Sequence, residues 1–202
     1  VIRIVQALEP TRILDVGFGM GKYGLLCREY LELWGPRPPE KFGQWRTKID
    51  GIEGCEQYVG EAQRAIYDQV FIGDAVQVLA GLPESSYDLA LLIELIEHLE
   101  KARGEQLLRE ALRVAGFVLV TTPKRFHKQG AELGNPLEVH RSHWTAADLR
   151  RLAPTRVFWH PRELVAVMSA SRADELWKAA RASWWWRFWR RQREKLGRLW
   201  GR

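Results

Sequence analysis

The chain has 202 residues, 46% of them apolar and 28% charged, which is enough for one domain with its own hydrophobic core. The composition reads as that of a soluble globular protein, and no run approaches the ~18 consecutive apolar residues of a membrane span. The formal charge of +6 is unevenly spread: residues 172–202 carry ten Lys or Arg against three acids, while residues 1–171 hold 21 basic and 22 acidic side chains. A neutral body and a basic tail are expected to do different jobs.

The opening VIRIVQALEP is too short, and too broken by Arg3 and Glu9, to read as a secretory signal. Strand-like apolar runs then alternate with amphipathic ones. Strands are expected at 11–16, 48–53, 69–73, 87–93 and 116–121, with helices at about 20–34, 56–68, 74–80 and 99–114. Leu107, Leu108, Ala111, Leu112 and Ala115 fall on one face of the last of these helices. A polar loop follows, then a short helix "TAADLRRL" in which Thr145 and Asp148 have capping-box spacing. Two further strand candidates, 156–160 and 163–169, have no long helix between them and are expected to pair antiparallel. The fold class read from this order is α/β. It is a Rossmann-like, doubly wound, seven-stranded sheet, mostly parallel with one antiparallel strand, followed by a C-terminal amphipathic helix. The expected division is a body over 1–170 and a basic Trp-rich tail over 171–202.

Cys27 and Cys55 lie 28 apart without metal-type spacing. They are expected to be free thiols in a reducing cytoplasm, and no metal is expected. Cys27 has no adjacent His and reads as a core residue rather than a nucleophile.

The stretch "ILDVGFGMGKYGLL", residues 13–26, ends a strand in an acid, breaks into glycines and becomes helical. Such a loop brings backbone close to a nucleotide-like ligand. Spacing excludes a triphosphate loop: only three residues separate Gly17 from Gly21, and Tyr23 after Lys22 cannot ligate magnesium as Ser or Thr would. Gly19-Met-Gly21-Lys-Tyr-Gly24 fits a dinucleotide motif by letter, but it begins late relative to its strand, and the next strand-end acid is distant.

"LDVGFGMG" places an acid, Asp15, at the strand end with Gly17, Gly19 and Gly21 after it. This resembles the first motif of the class I S-adenosylmethionine-dependent methyltransferases. S-adenosylmethionine (SAM) carries an ammonium, a sulfonium and no phosphate, so a carboxylate suits its loop. The resemblance continues in "DGIEG", "IGDA", "YDLALLIELIEHLEK", "FVLVTTP" and "EVHRSHWTAADL", covering about residues 1–170. It is to the small-molecule branch of that family. By this resemblance the cofactor-binding residues are Asp15, Gly17, Gly19, Gly21, Glu53, Asp74, Ala75 and Glu94. Glu53 is expected on the ribose hydroxyls and Asp74 on the adenine amino group.

One departure is the 38-residue separation of Asp15 and Glu53, which exceeds the family's habit. The surplus, "LWGPRPPEKFGQWRTK" at 33–48, reads either as a surface elaboration or as a lid or part of the acceptor pocket.

Methyl transfer rests chiefly on positioning donor and acceptor in line. A hydroxyl acceptor also needs a base, for which histidine is suited near neutral pH. His98, just past the fourth strand, and His140, before the last helix, are the catalytic candidates. His127 and His143 read as solvated. Glu94 and Glu97 are expected to orient the methionine end or the acceptor, with first-turn helix charge as the alternative for Glu97. The resemblance implies an enzyme acting on a small molecule such as a sugar, quinone-like or lipid-linked hydroxyl. A different class remains open: a silent methyltransferase-fold scaffold attached through its tail, although that would ordinarily lose the cofactor acids that are kept here.

The tail "SWWWRFWRRQREKLGRLW" (183–200) belongs to no part of that pattern. As a helix it gathers Trp184, Trp185, Phe188, Trp189, Leu196, Leu199 and Trp200 on one face and Arg187, Arg190, Arg191 and Arg198 opposite. This is the composition of a helix lying in a membrane interface, which would make the protein cytoplasmic and peripheral to the membrane. Packing on the body or on a second subunit of a homo-oligomer is the alternative. Nucleic acid is disfavoured because no nucleic-acid-binding fold accompanies the charge.

Overall fold

The computed structural model describes residues 1–35, 38–170, 172, 174 and 175. The helix expected at 183–200 lies outside the described residues.

In chain order the elements are α1 (Ile2–Leu8), β1 (Arg12–Val16), α2 (Lys22–Cys27), β2 (Lys48–Glu53), α3 (Glu61–Ile66), β3 (Gln69–Ile72) and α4 (Ala75–Gly81). They continue with β4 (Tyr87–Ile93), α5 (Lys101–Val114), β5 (Ala115–Pro123), α6 (Ala146–Leu152), β6 (Thr155–Phe158) and β7 (Glu163–Met168). The seven strands form one sheet in the order β3-β2-β1-β4-β5-β7-β6. Strands β1 to β5 pair parallel, and β7 runs antiparallel to both β5 and β6. This is the mixed, doubly wound sheet expected from the sequence.

Alternation along the central strands builds the core on both faces. Ile13, Leu89, Leu91, Phe117 and Leu119 point to the side covered by Val5 of α1, Cys27 of α2 and Tyr67. Leu14, Ala90, Leu92, Val118 and Val120 point to the other, where Leu79 of α4, Leu107, Leu108 and Ala111 of α5, and Leu149 of α6 meet them. Thr145 caps α6 by accepting from the Asp148 backbone N–H, and the Asp148 carboxylate accepts in return from the Thr145 backbone N–H.

Three segments differ from the sequence reading, the helix expected at 56–68 being split into a 3-10 turn at Glu56–Tyr58 and the short α3 by extended backbone at Val59 and Gly60. The opening residues form α1, which buries Val5 and stops where Glu9 turns left-handed at φ 45°. The helix expected to run to residue 34 changes at Arg28 into a wider π-helical turn over Arg28–Leu33. That turn aims two charged side chains inward. The Arg28 guanidinium donates to the carbonyls of Ile66 and Thr47 and to Asp68, and the Glu32 carboxylate accepts from the backbone of Arg46 and Thr47. Both side chains are buried with their charges hydrogen-bonded, so the C-terminal end of the 33–48 insertion, at Arg46 and Thr47, is pinned to the body.

Among the described residues, Trp144 is the largest fully buried side chain. Its indole N–H donates to the Ile96 carbonyl and to Ser142, and its ring lies so close to Gly104 that a Cβ there would stand 2.4 Å from it. The segment before α6 is thereby locked against the turn that follows β4.

Candidate functional site

The strand order reverses between β1 and β4, and the crevice outside the carboxyl ends of these strands is where open α/β sheets bind ligands. Here it holds a cavity of about 350 Å³, of ligand-pocket size. Among the expected residues, Gly17, Gly19, Glu53, Asp74, Ala75, Glu94 and His98 line it.

The glycine loop carries φ values that L-residues avoid: 68° at Gly17 and 56° at Gly19. Gly17 has a second constraint, since a Cβ there would meet the Leu95 side chain at 2.7 Å. Glu53 ties this loop to the end of β2. One carboxylate oxygen accepts from the Gly19 N–H at 2.8 Å and the other from the Cys55 N–H at 2.8 Å. Asp74 caps α4 by accepting from the Gln77 N–H, and it pairs with Arg103 at 2.7 Å. Glu94 ends β4 in a left-handed conformation at φ 50°, a strained setting for a non-glycine residue. Its carboxylate accepts from the Thr121 hydroxyl at 2.6 Å, and burial raises its pKa.

Asp15 and Gly21, expected on the cofactor, do not line this cavity. Asp15 is buried beneath the loop, where it accepts a 2.7 Å hydrogen bond from the Tyr67 hydroxyl. Burial pushes its carboxyl up to about 6 against the pull of that bond. Gly21, with φ 82°, starts α2 and faces Ile66, Gln63 and Tyr67. Cys27 is fully buried, and burial pushes its thiol pKa up, as suits a core residue.

The two catalytic candidates, 42 residues apart in sequence, stand with ring centroids 4.9 Å apart in an edge-to-face arrangement. His98 closes the turn Ile96–His98 after β4, and burial lowers its pKa, keeping the imidazole neutral near pH 7. His140 places its Nδ1 2.9 Å from the His127 carbonyl. Glu97, between Ile96 and His98, is buried, and burial reinforced by the charge of Glu94 pushes its carboxyl up to about 8.

The far wall was not legible in the sequence. Asn135, Leu137, Glu138 and Arg141, from the polar loop before α6, line the cavity together with Arg103 of α5. Leu137 crosses to Gly54, where a Cβ would meet it at 2.9 Å, and the Tyr58 hydroxyl reaches Glu138 at 3.3 Å. The Glu97 carbonyl accepts from the backbone of Arg141 and Ser142, fastening this loop to the turn that bears His98. Among the described residues of the 33–48 insertion, none lines this cavity.

Comparison with solved structures places this architecture. The N-terminal domain of EvdMO1, determined in the presence of S-adenosylhomocysteine (SAH) and D-fucose, is similar with a TM-score of 0.58 at 20% identity, over 82% of this chain and 79% of that one. An O-methyltransferase family protein from Burkholderia thailandensis matches with a TM-score of 0.57 at 10% identity, over 84% of this chain and 55% of that one. A SAM-dependent methyltransferase from Archaeoglobus fulgidus matches with a TM-score of 0.51 at 15% identity, over 78% and 85%. No protein-family model matches the chain, and no curated protein matches it by sequence. The chain has the fold of the class I SAM-dependent methyltransferases.

Proposed function

We propose that the chain is a SAM-dependent methyltransferase that methylates a hydroxyl of a small-molecule acceptor. The observation that carries this reading is electrostatic: Glu53, Asp74 and Glu94, at the carboxyl ends of β2, β3 and β4, all line one cavity beside the glycine loop that follows β1 between them. Three acids suit a cofactor that brings an ammonium and a sulfonium, and they oppose one that brings phosphates. In this reading Glu53 takes the ribose hydroxyls, Asp74 and Ala75 sit at the adenine, and Glu94 faces the methionine end.

The acceptor oxygen attacks the methyl carbon, the carbon–sulfur bond breaks with its electron pair going to sulfur, and SAH leaves. The hydroxyl proton must also go, and the neutral His98 imidazole, with His140 beside it, is the group on the cavity wall suited to receive it. The sugar present with the EvdMO1 domain supports a polyhydroxylated acceptor as the class to screen first.

The test is calorimetric titration with SAH, with NAD⁺ in parallel. One-to-one micromolar binding of SAH and none of NAD⁺ is expected. Well-folded protein that ignores SAH would overturn the reading.

The tail is proposed to hold the enzyme at an anionic membrane surface from the cytoplasmic side. Arg172 lies over the Phe117 ring, so a truncation should begin after Glu175. Deleting 176–202 is expected to leave SAH binding intact and abolish sedimentation with anionic liposomes. Sedimentation that persists would discard the membrane role, and a shift of the full chain from dimer to monomer on truncation would assign the tail to a subunit interface.

A further inference from the structure

We propose that Glu97, His98 and His140 form a binding site for one divalent transition-metal ion at the edge of the cavity. One ligand atom from each lies within 4.8 Å of the other two, the spacing a single ion would bridge. Glu97 is only 3% exposed, yet neither of its carboxylate oxygens has a hydrogen-bond partner, although Glu94 and Thr122 stand close enough to act on its charge. His98 Nδ1 is likewise buried without a partner. Three unpartnered polar atoms gathered in one buried corner are costly unless something satisfies them.

The surroundings are arranged as a metal site needs. His140 Nδ1 is held 2.9 Å from the His127 carbonyl, so its proton belongs there and Nε2 is left as the ligating nitrogen. Both strand-side ligands come from one short turn, Ile96–His98, and the Glu97 carbonyl accepts from Arg141 and Ser142, fixing the stretch that carries His140. Two imidazoles and one carboxylate favour zinc, iron, cobalt, nickel or manganese over magnesium, which takes oxygen ligands and keeps its waters. Three protein ligands leave coordination positions open, and His98 is the member of the set that reaches the cavity.

The inference deepens the function proposed above and rests on it for its purpose. An acceptor hydroxyl bound at an open position would release its proton to water more readily, because the ion lowers the hydroxyl's pKa. His98 would then act as a ligand in place of a base.

Cobalt(II) is the probe, because its visible ligand-field absorption reports coordination without any activity measurement. Tag-free, metal-stripped wild-type protein is expected to bind one cobalt per chain with a saturating visible band and no sulfur-to-metal charge transfer. Glu97→Gln and His140→Ala, checked for native near-ultraviolet circular dichroism, should each weaken binding by at least about 100-fold, since even the loss of an outer partner costs 10–100-fold. No stoichiometric band in the wild type would overturn the proposal, as would a thiolate signature or a band unchanged in both folded variants. The titration needs no SAH, so failure of the metal site and failure of the cofactor reading are seen separately.

Discussion

Replacing Glu53 with Ala is expected to weaken SAH binding by about 1–3 kcal/mol, roughly 5- to 150-fold in Kd. Two losses add. A carboxylate at the end of β2 that lines the cavity is removed, and with it the hydrogen bonds it would accept from the ribose hydroxyls of the proposed cofactor. The Gly19 and Cys55 N–H groups also lose the acceptor that fixes the glycine loop against β2. Glu53→Gln separates the two. It keeps the side chain's length and one acceptor oxygen, but turns an N–H₂ toward a backbone donor, so it should fall between wild type and Ala. Calorimetry with SAH checks the series, and a thermal melt of each variant without ligand shows how much of the effect is loop anchoring. Unchanged affinity in Glu53→Ala would remove Glu53 from the site.

The sheet was legible because its central strands obey simple rules. In β1, β4 and β5 successive apolar residues go to opposite faces, both covered by helices, and such strands read as near-continuous apolar runs. The acids at the strand ends were legible too, because each interrupts an apolar run where the chain must leave the sheet. What escaped were features decided by tertiary contact. Helix α1 has seven residues and buries only Val5, too little amphipathic pattern to stand out. The π-helical turn is sustained by Arg28 and Glu32 finding partners 14–40 residues away, and no local periodicity encodes that. The loop bearing Leu137 and Glu138 has the composition of a solvated connection and becomes a cavity wall because Trp144 and the Glu97 carbonyl hold its far end. His98 and His140 were picked out singly as bases. Their convergence with Glu97 follows from the same anchoring, and ligand spacing in sequence carried no sign of it.

Asp15 gives the second large prediction, and its sign is opposite to what the loss of a hydrogen-bonded carboxylate would ordinarily produce. Its folded-state pKa is raised to about 6, above the ordinary value of 3.8, chiefly by burial. Between those two values the folded chain holds a proton that the unfolded chain has released, so stability falls as pH rises through this window. Above pH 6 the full cost of the buried charge is carried, about 3 kcal/mol. Asp15→Asn removes the charge while its amide oxygen can still accept from the Tyr67 hydroxyl, the contact now made at 2.7 Å. The variant is expected to be more stable than wild type by about 1–3 kcal/mol at pH 8, with the two converging below pH 4. Urea unfolding across that pH range measures it, and parallel stability curves for the two proteins would show that burial of Asp15 carries no such cost. A cost of this size can be kept where the charge serves function, at the expense of stability. SAM titrations of the same variant supply the other half: affinity should fall, because the negative charge beneath the loop no longer favours a cation above it. Stability gained and cofactor affinity lost in one substitution would mark Asp15 as an electrostatic part of the site despite standing behind its wall. Unchanged affinity would leave it a partner of Tyr67 alone.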